Sequence, residues 1–209
     1  TQLITAAEGA VGDDGKIRFE IKPGYEAIIT TKQFNQLSEG FLELKSLGYQ
    51  DSIKKVKKIT IVQGNDRLAH IDTKTFELTL DIDVFKSQAL LIMEAEHELL
   101  HIFAKSIGKR APPAIEELTI LYQEARRFLS FTPAQQEEVI QVLKDDNDID
   151  DQQFYQVLLK VQEDGLGKIQ DELINYLKRV YPQVSQEGLS DYLQENSLAG
   201  LKKELTSLW

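Results

Sequence analysis

The run Thr75-Phe76-Glu77-Leu78-Thr79-Leu80-Asp81-Ile82, and behind it residues 84 to 107 with His97-Glu98-Leu99-Leu100-His101 inside them, decide how this chain is read. In the first run Phe76, Leu78, Leu80 and Ile82 alternate with Glu77, Thr79 and Asp81, the period of a strand with one packed face and one wet face. Asp83 is placed to cap a long helix beginning at about Val84, and Gly108 to end it after Ile107. On that helix His97 and His101 fall on one face, where two imidazoles can reach one zinc ion, and Glu98 beside the first can act as general base. A random arrangement of this composition yields such an H-E-x-x-H string on the order of a few times per thousand chains. Paired histidines can also be satisfied polar groups within a core, so the surrounding sequence has to supply the context.

Upstream, Gly15 to Ile21 alternates polar and apolar residues and reads as a half-buried strand, with Tyr25 to Thr30 as its partner. From Thr31, read as an N-cap, the residues Phe34, Leu37, Phe41, Leu42, Leu44 and Leu47 keep helical spacing until Gly48. Lys58 to Gln63, Arg67 to Ile71 and Thr75 to Ile82 are three strands separated by the turns Gly64-Asn65-Asp66 and Asp72-Thr73-Lys74, an order that predicts an antiparallel meander.

Downstream, Arg110-Ala111-Pro112-Pro113 leads into a helix over about Ala114 to Ser130 that carries Glu116, Glu117, Tyr122, Glu124, Arg126 and Arg127. Thr132-Pro133-Ala134-Gln135 is a capped helix start, Asp145 to Asp151 an acidic loop, and further helical patterns lie near Phe154 to Gln162, Lys168 to Tyr181 and Ser190 to Leu208. The fold class is therefore α+β: a small mixed or antiparallel sheet, a motif-bearing helix and a mainly helical C-terminal lobe. Residues 1–130 are expected to form the core that carries the motif and 131–209 a helical lobe, together one structural domain.

Composition narrows the function. The chain has 209 residues, 42% hydrophobic and 28% charged, enough for a core of its own. Its formal charge of -10 and pI near 4.9 argue against nucleic acid or an anionic membrane as partner. No apolar stretch is long enough to cross a bilayer, and the first residues lack the pattern of a signal peptide. The start at Thr1 fits a mature or excised segment of a longer protein, cytoplasmic or secreted. With no cysteine, any metal must be held by His, Asp, Glu or water.

A catalytic zinc normally takes three protein ligands and keeps a fourth position open. His70, the third histidine, lies upstream near a strand end and reads as a surface residue. The carboxylates of the following helix are stronger candidates: Glu117 and Glu124 share a face, and Glu116 is turned from them by about 100°. Glu94, one turn before His97, reads either as a partner orienting an imidazole or as a solvated charge. Asp145 to Asp151 lacks the central glycine and closing glutamate of a calcium loop.

His97-Glu98-Leu99-Leu100-His101 followed by Ala111-Pro112-Pro113-Ala114-Ile115-Glu116-Glu117 resembles the gluzincin branch of the zincin metallopeptidases. The resemblance implies Zn²⁺ held by His97, His101 and Glu117, a motif helix beneath the substrate-binding edge of a mixed sheet, and peptide-bond hydrolysis with Glu98 as general base. It covers about residues 31 to 130. As oxyanion donor, Tyr122 is preferred over Arg126, Tyr155, Tyr176, Tyr181 and Tyr192. The expected partner is a protein or peptide substrate; a metallopeptidase module of a bacterial polymorphic toxin would add an inhibitory immunity protein. The competing function is a non-catalytic zincin-fold binding or metal-sensing module with a structural zinc; the intact Glu98 argues against the binding module, and a metal sensor using the same three ligands stays open.

Overall fold

The computed structural model describes residues 4–11, 17–21, 30–106, 113–146, 149–167 and 169–180. Five strands form one sheet: β1 (Ile4–Val11), β2 (Ile17–Ile21), β3 (Lys58–Val62), β4 (Ala69–Asp72) and β5 (Glu77–Asp81), in the order β2-β1-β3-β5-β4. The helices are α1 (Thr31–Leu44), α2 (Gln50–Ile53), α3 (Gln88–Ser106), α4 (Pro113–Ser130), α5 (Pro133–Asp145), α6 (Ile149–Asp164) and α7 (Ile169–Val180). The fold is mixed α+β and mostly helical.

The three-stranded meander predicted from turn chemistry does not form. β5 inserts between β3 and β4, parallel to β3 and antiparallel to β4. The cause lies at Asp81, which is buried at the end of β5. Its carboxylate accepts from the Asn65 amide at 2.8 Å, and its own amide donates to the Leu68 carbonyl at 2.8 Å. The loop after β3 is thereby carried across the end of β5 and delivers β4 to the outer edge. Burial agrees: β3 is enclosed at Ile59, Thr60, Ile61 and Val62, as a central strand must be, whereas β4 alternates and leaves His70 exposed.

β2 pairs with β1, a strand the sequence reading did not assign. Of the expected partner Tyr25 to Thr30, residues 25–29 lie outside the described residues. Thr30, not Thr31, is the N-cap of α1: it forms a capping box with Gln33. That helix ends earlier than Gly48, passing into a π-type turn over Lys45–Tyr49 in which Gly48 has φ 100°.

The motif helix also begins later than predicted. Asp81 caps a 3-10 turn over Ile82–Lys86, and extended Ser87 then accepts from the Leu90 amide at 3.3 Å to start α3 at Gln88. The break turns Val84 and Phe85 into the core. The expected stop at Gly108 and the helix at Ser190 to Leu208 lie outside the described residues. The acidic loop is shorter than expected, since α6 already begins at Ile149.

α3 is the axis of the molecule. Ala89 to Met93, Ala95, Leu99, Leu100 and Ile102 are buried, and α1, α2, α4, α5 and β4 all pack on it. A helix apolar on nearly every side is enclosed by its neighbours. One hydrophobic cluster runs from Leu37 through Leu99 and Phe128 to Leu158 and Tyr176, continuous across Phe131. No helix among the described residues is long and apolar enough to cross a membrane.

Candidate metal centre

Two helices and the sheet edge build the site. α3 supplies His97 and His101 one turn apart, with ring centroids 5.2 Å from each other. α4 packs against α3 and brings Glu117 opposite both rings: Glu117 Oε1 lies 3.5 Å from His97 Nε2, and Oε2 lies 3.5 Å from His101 Nε2. One ligand atom from each of the three residues falls within 4.8 Å of the others.

The remaining ring nitrogens are held by the other two carboxylates of α4. His97 Nδ1 is 2.9 Å from Glu124 Oε2, and His101 Nδ1 is 2.7 Å from Glu116 Oε1. A carboxylate at Nδ1 keeps the ring proton there, so each neutral imidazole turns its Nε2 lone pair toward the shared centre. The three glutamates weighed as third ligand thus occupy three different places. Glu117 faces the two Nε2 atoms, whereas Glu116 and Glu124 brace the rings from behind. Glu94 is half-buried, and the position at His97 Nδ1 belongs to Glu124.

The donor set could hold a metal ion: two imidazole nitrogens and a carboxylate converge within 4.8 Å of one another. Charge agrees. Burial of His97 opposes its protonation, but the carboxylates of Glu117, Glu124 and Glu98 outweigh burial and hold its pKa well above the usual histidine value. Burial pushes the Glu124 carboxyl up, against the pull of His97. This is an electrostatic trap for positive charge.

Glu98 is buried beside the pair, and its Oε2 accepts from the backbone amide of Ile71 in β4 at 2.8 Å. The carboxylate is thereby tied to the edge strand, close enough for its charge to raise the His97 pKa. His70, next to Ile71, is exposed and pairs across the ladder with Thr79.

Tyr122 is elsewhere. It packs in the hydrophobic core, about 140° around α4 from Glu117, so the helix does not present it on the carboxylate face. Tyr176 is likewise a core residue, Tyr155 packs against the core, and Arg126 is exposed and donates to Gln123. Tyr181 and Tyr192 lie outside the described residues.

One structural support is visible only in the tertiary structure. Glu96, 1% exposed, takes both Arg127 Nε at 2.7 Å and Arg127 Nη2 at 2.9 Å, and also accepts from the Tyr49 hydroxyl. Its hydrogen bonds raise the Arg127 pKa, while burial and then the Glu96 charge raise that of Tyr49. The cluster clamps α4 to α3 one residue before the motif. Its only trace in the sequence is a glutamate on an otherwise apolar face.

No protein-family model, no curated protein and no solved structure matches the chain.

Proposed function

We propose that this chain is a zinc-dependent peptidase. The observation that carries the reading is the convergence of His97, His101 and Glu117 within 4.8 Å, with Glu98 anchored beside them on the edge strand. His97 and His101 would bind the ion through Nε2 and Glu117 through its carboxylate. Zinc bound there would supply the Lewis acidity that polarises a peptide carbonyl and makes a water acidic near neutral pH.

The chain's own residues then have defined work. Glu98, held at Oε2 by the Ile71 amide, takes the proton from the attacking water and passes it to the leaving amine. Glu116 and Glu124 keep the imidazoles oriented while charge develops at the centre. Among the described residues no further strand pairs with the outer edge of β4; the Ile71 amide there is taken by Glu98, and an extended peptide would pair with the backbone groups left beside it.

The test is metal analysis together with a peptide-cleavage assay on wild type and Glu98→Gln. The reading requires one zinc per chain in both proteins and cleavage by wild type alone. A metal-replete wild type that holds no zinc, or a Glu98→Gln variant that cleaves as fast as wild type, overturns it.

A further inference from the structure

A cavity of about 550 Å³ opens at the C-terminal end of the motif helix, lined by Lys54, Lys55, Lys57, Lys105 and Phe76. All four lysines are exposed, and no salt bridge among the described residues uses any of them. Lys55 instead donates to the Ser106 hydroxyl and Lys105 to the Thr73 carbonyl. The ammonium groups of Lys57 and Lys105 stand 6.0 and 5.2 Å from the centroid of the Phe76 ring. In a chain of net charge -10, four cations around one cavity, none in a salt bridge among the described residues, make a locally positive field.

The backbone here is built rather than loose. Phe76 is the one non-glycine residue among those described with positive φ, at 58°. It is kept there by its backbone N–H, which donates to the Asp72 carbonyl at 2.6 Å, and by its carbonyl, which accepts from the Lys57 amide at 2.9 Å. The Asp72 carboxylate also takes the amides of Lys74 and Thr75. An aromatic residue held in this sparsely populated conformation costs energy and presents its ring in one place.

The cavity adjoins the metal centre along two elements. Lys105 lies one turn beyond His101, an axial distance of about 6 Å. Glu98 meets β4 at Ile71, and two turns later Lys105 meets the chain at Thr73, just past the strand's end, so α3 and the sheet edge run together into the lysine cavity. An extended chain on that edge advances about 3.3 Å per residue and reaches the cavity two to three residues from the metal.

We propose that this cavity is a specificity pocket for an acidic side chain of the peptide substrate, with Lys57 and Lys105 over Phe76 receiving its carboxylate. The inference rests on the reading of the metal centre as a peptidase. Lysine ammoniums supply movable point charges for the carboxylate, and the ring supplies an apolar floor for its methylenes.

The test uses peptides that differ at one scanned position, Glu against Gln. Cleavage is measured with wild type and with Lys57→Gln/Lys105→Gln, and binding by fluorescence anisotropy in the Glu98→Gln background with and without the lysine changes. Glu should be preferred by about tenfold at one position on one side of the scissile bond, the size of two or three solvent-screened ion pairs. The preference should vanish in the lysine double variant, persist in Lys57→Arg/Lys105→Arg and be unaffected by Lys144→Gln on α5. Equal binding of Glu and Gln peptides, or a preference that survives the double Gln change, overturns the pocket. Cleavage without a Glu preference overturns the pocket and leaves the peptidase standing. A lysine-dependent binding preference without cleavage does the reverse.

Discussion

Glu124 and Glu117, two turns apart on α4, flank a single imidazole: Glu124 lies 2.9 Å from Nδ1 of His97 and Glu117 lies 3.5 Å from its Nε2. On the proposed zinc reading, the two carboxylates have different duties. Glu117→Ala should cost zinc affinity outright, whereas Glu124→Ala should weaken it by about 10–100-fold, the usual effect of removing a group that orients a ligand. Zinc competition with a chromogenic chelator measures both. Equal affinities for Glu124→Ala and wild type would remove Glu124 from the site.

Zinc uptake should release a proton. The raised pKa of His97 means that a proton competes with zinc for the metal-free ring, since zinc binds only the neutral imidazole. Apparent affinity should therefore rise with pH until the raised pKa is passed. Calorimetry in buffers of different ionisation heat should report proton release on zinc binding. A buffer-independent heat would contradict this. In the metal-free chain the same shift stabilises the fold below the ordinary histidine pKa, and that contribution fades as pH rises through the raised value.

The Glu96–Arg127 pair is a clamp whose rupture should be felt globally. Arg127→Met leaves a buried carboxylate without its guanidinium, with an expected loss of about 3–5 kcal/mol. Glu96→Leu combined with Arg127→Met should lose less than Arg127→Met alone, because no charge is stranded. Urea unfolding of the metal-free proteins would read this as midpoint shifts at unchanged slope.

Gly48 supplies a purely backbone prediction. At φ 100°, with open space where a Cβ would stand, Gly48→Ala meets no clash but adopts a conformation that L-residues avoid. About 1–2 kcal/mol should be lost, with zinc affinity unchanged. A neutral or stabilised variant would mean that the turn can relax.

Local chemistry made much of this legible in advance. Alternation at Leu78 and Leu80 marked β5, the proline before Ala114 marked the start of α4, and Thr132 with Gln135 marked that of α5; each is a property of neighbours in sequence. The H-E-x-x-H spacing put His97 and His101 on one face for the same reason, and the downstream glutamates were visible as a group. The β3–β4–β5 order was not legible, because turn residues say where a chain bends and not which strand it passes. The bonds of Asp81 to Asn65 and Leu68 decide that, and they form only across the fold.

What the sequence determined by itself was therefore periodic: an α+β chain, a helix carrying two histidines and a glutamate, and a second helix rich in carboxylates. Which glutamate faces Nε2 and which braces Nδ1, that Tyr122 goes to the core, and that Lys57 and Lys105 both stand near the Phe76 ring depend on how the elements pack against one another. Side-chain directions on one helix repeat every few residues and can be read from spacing. The rotation of one helix against another is set by packing all their buried side chains at once, and only the tertiary structure decides it.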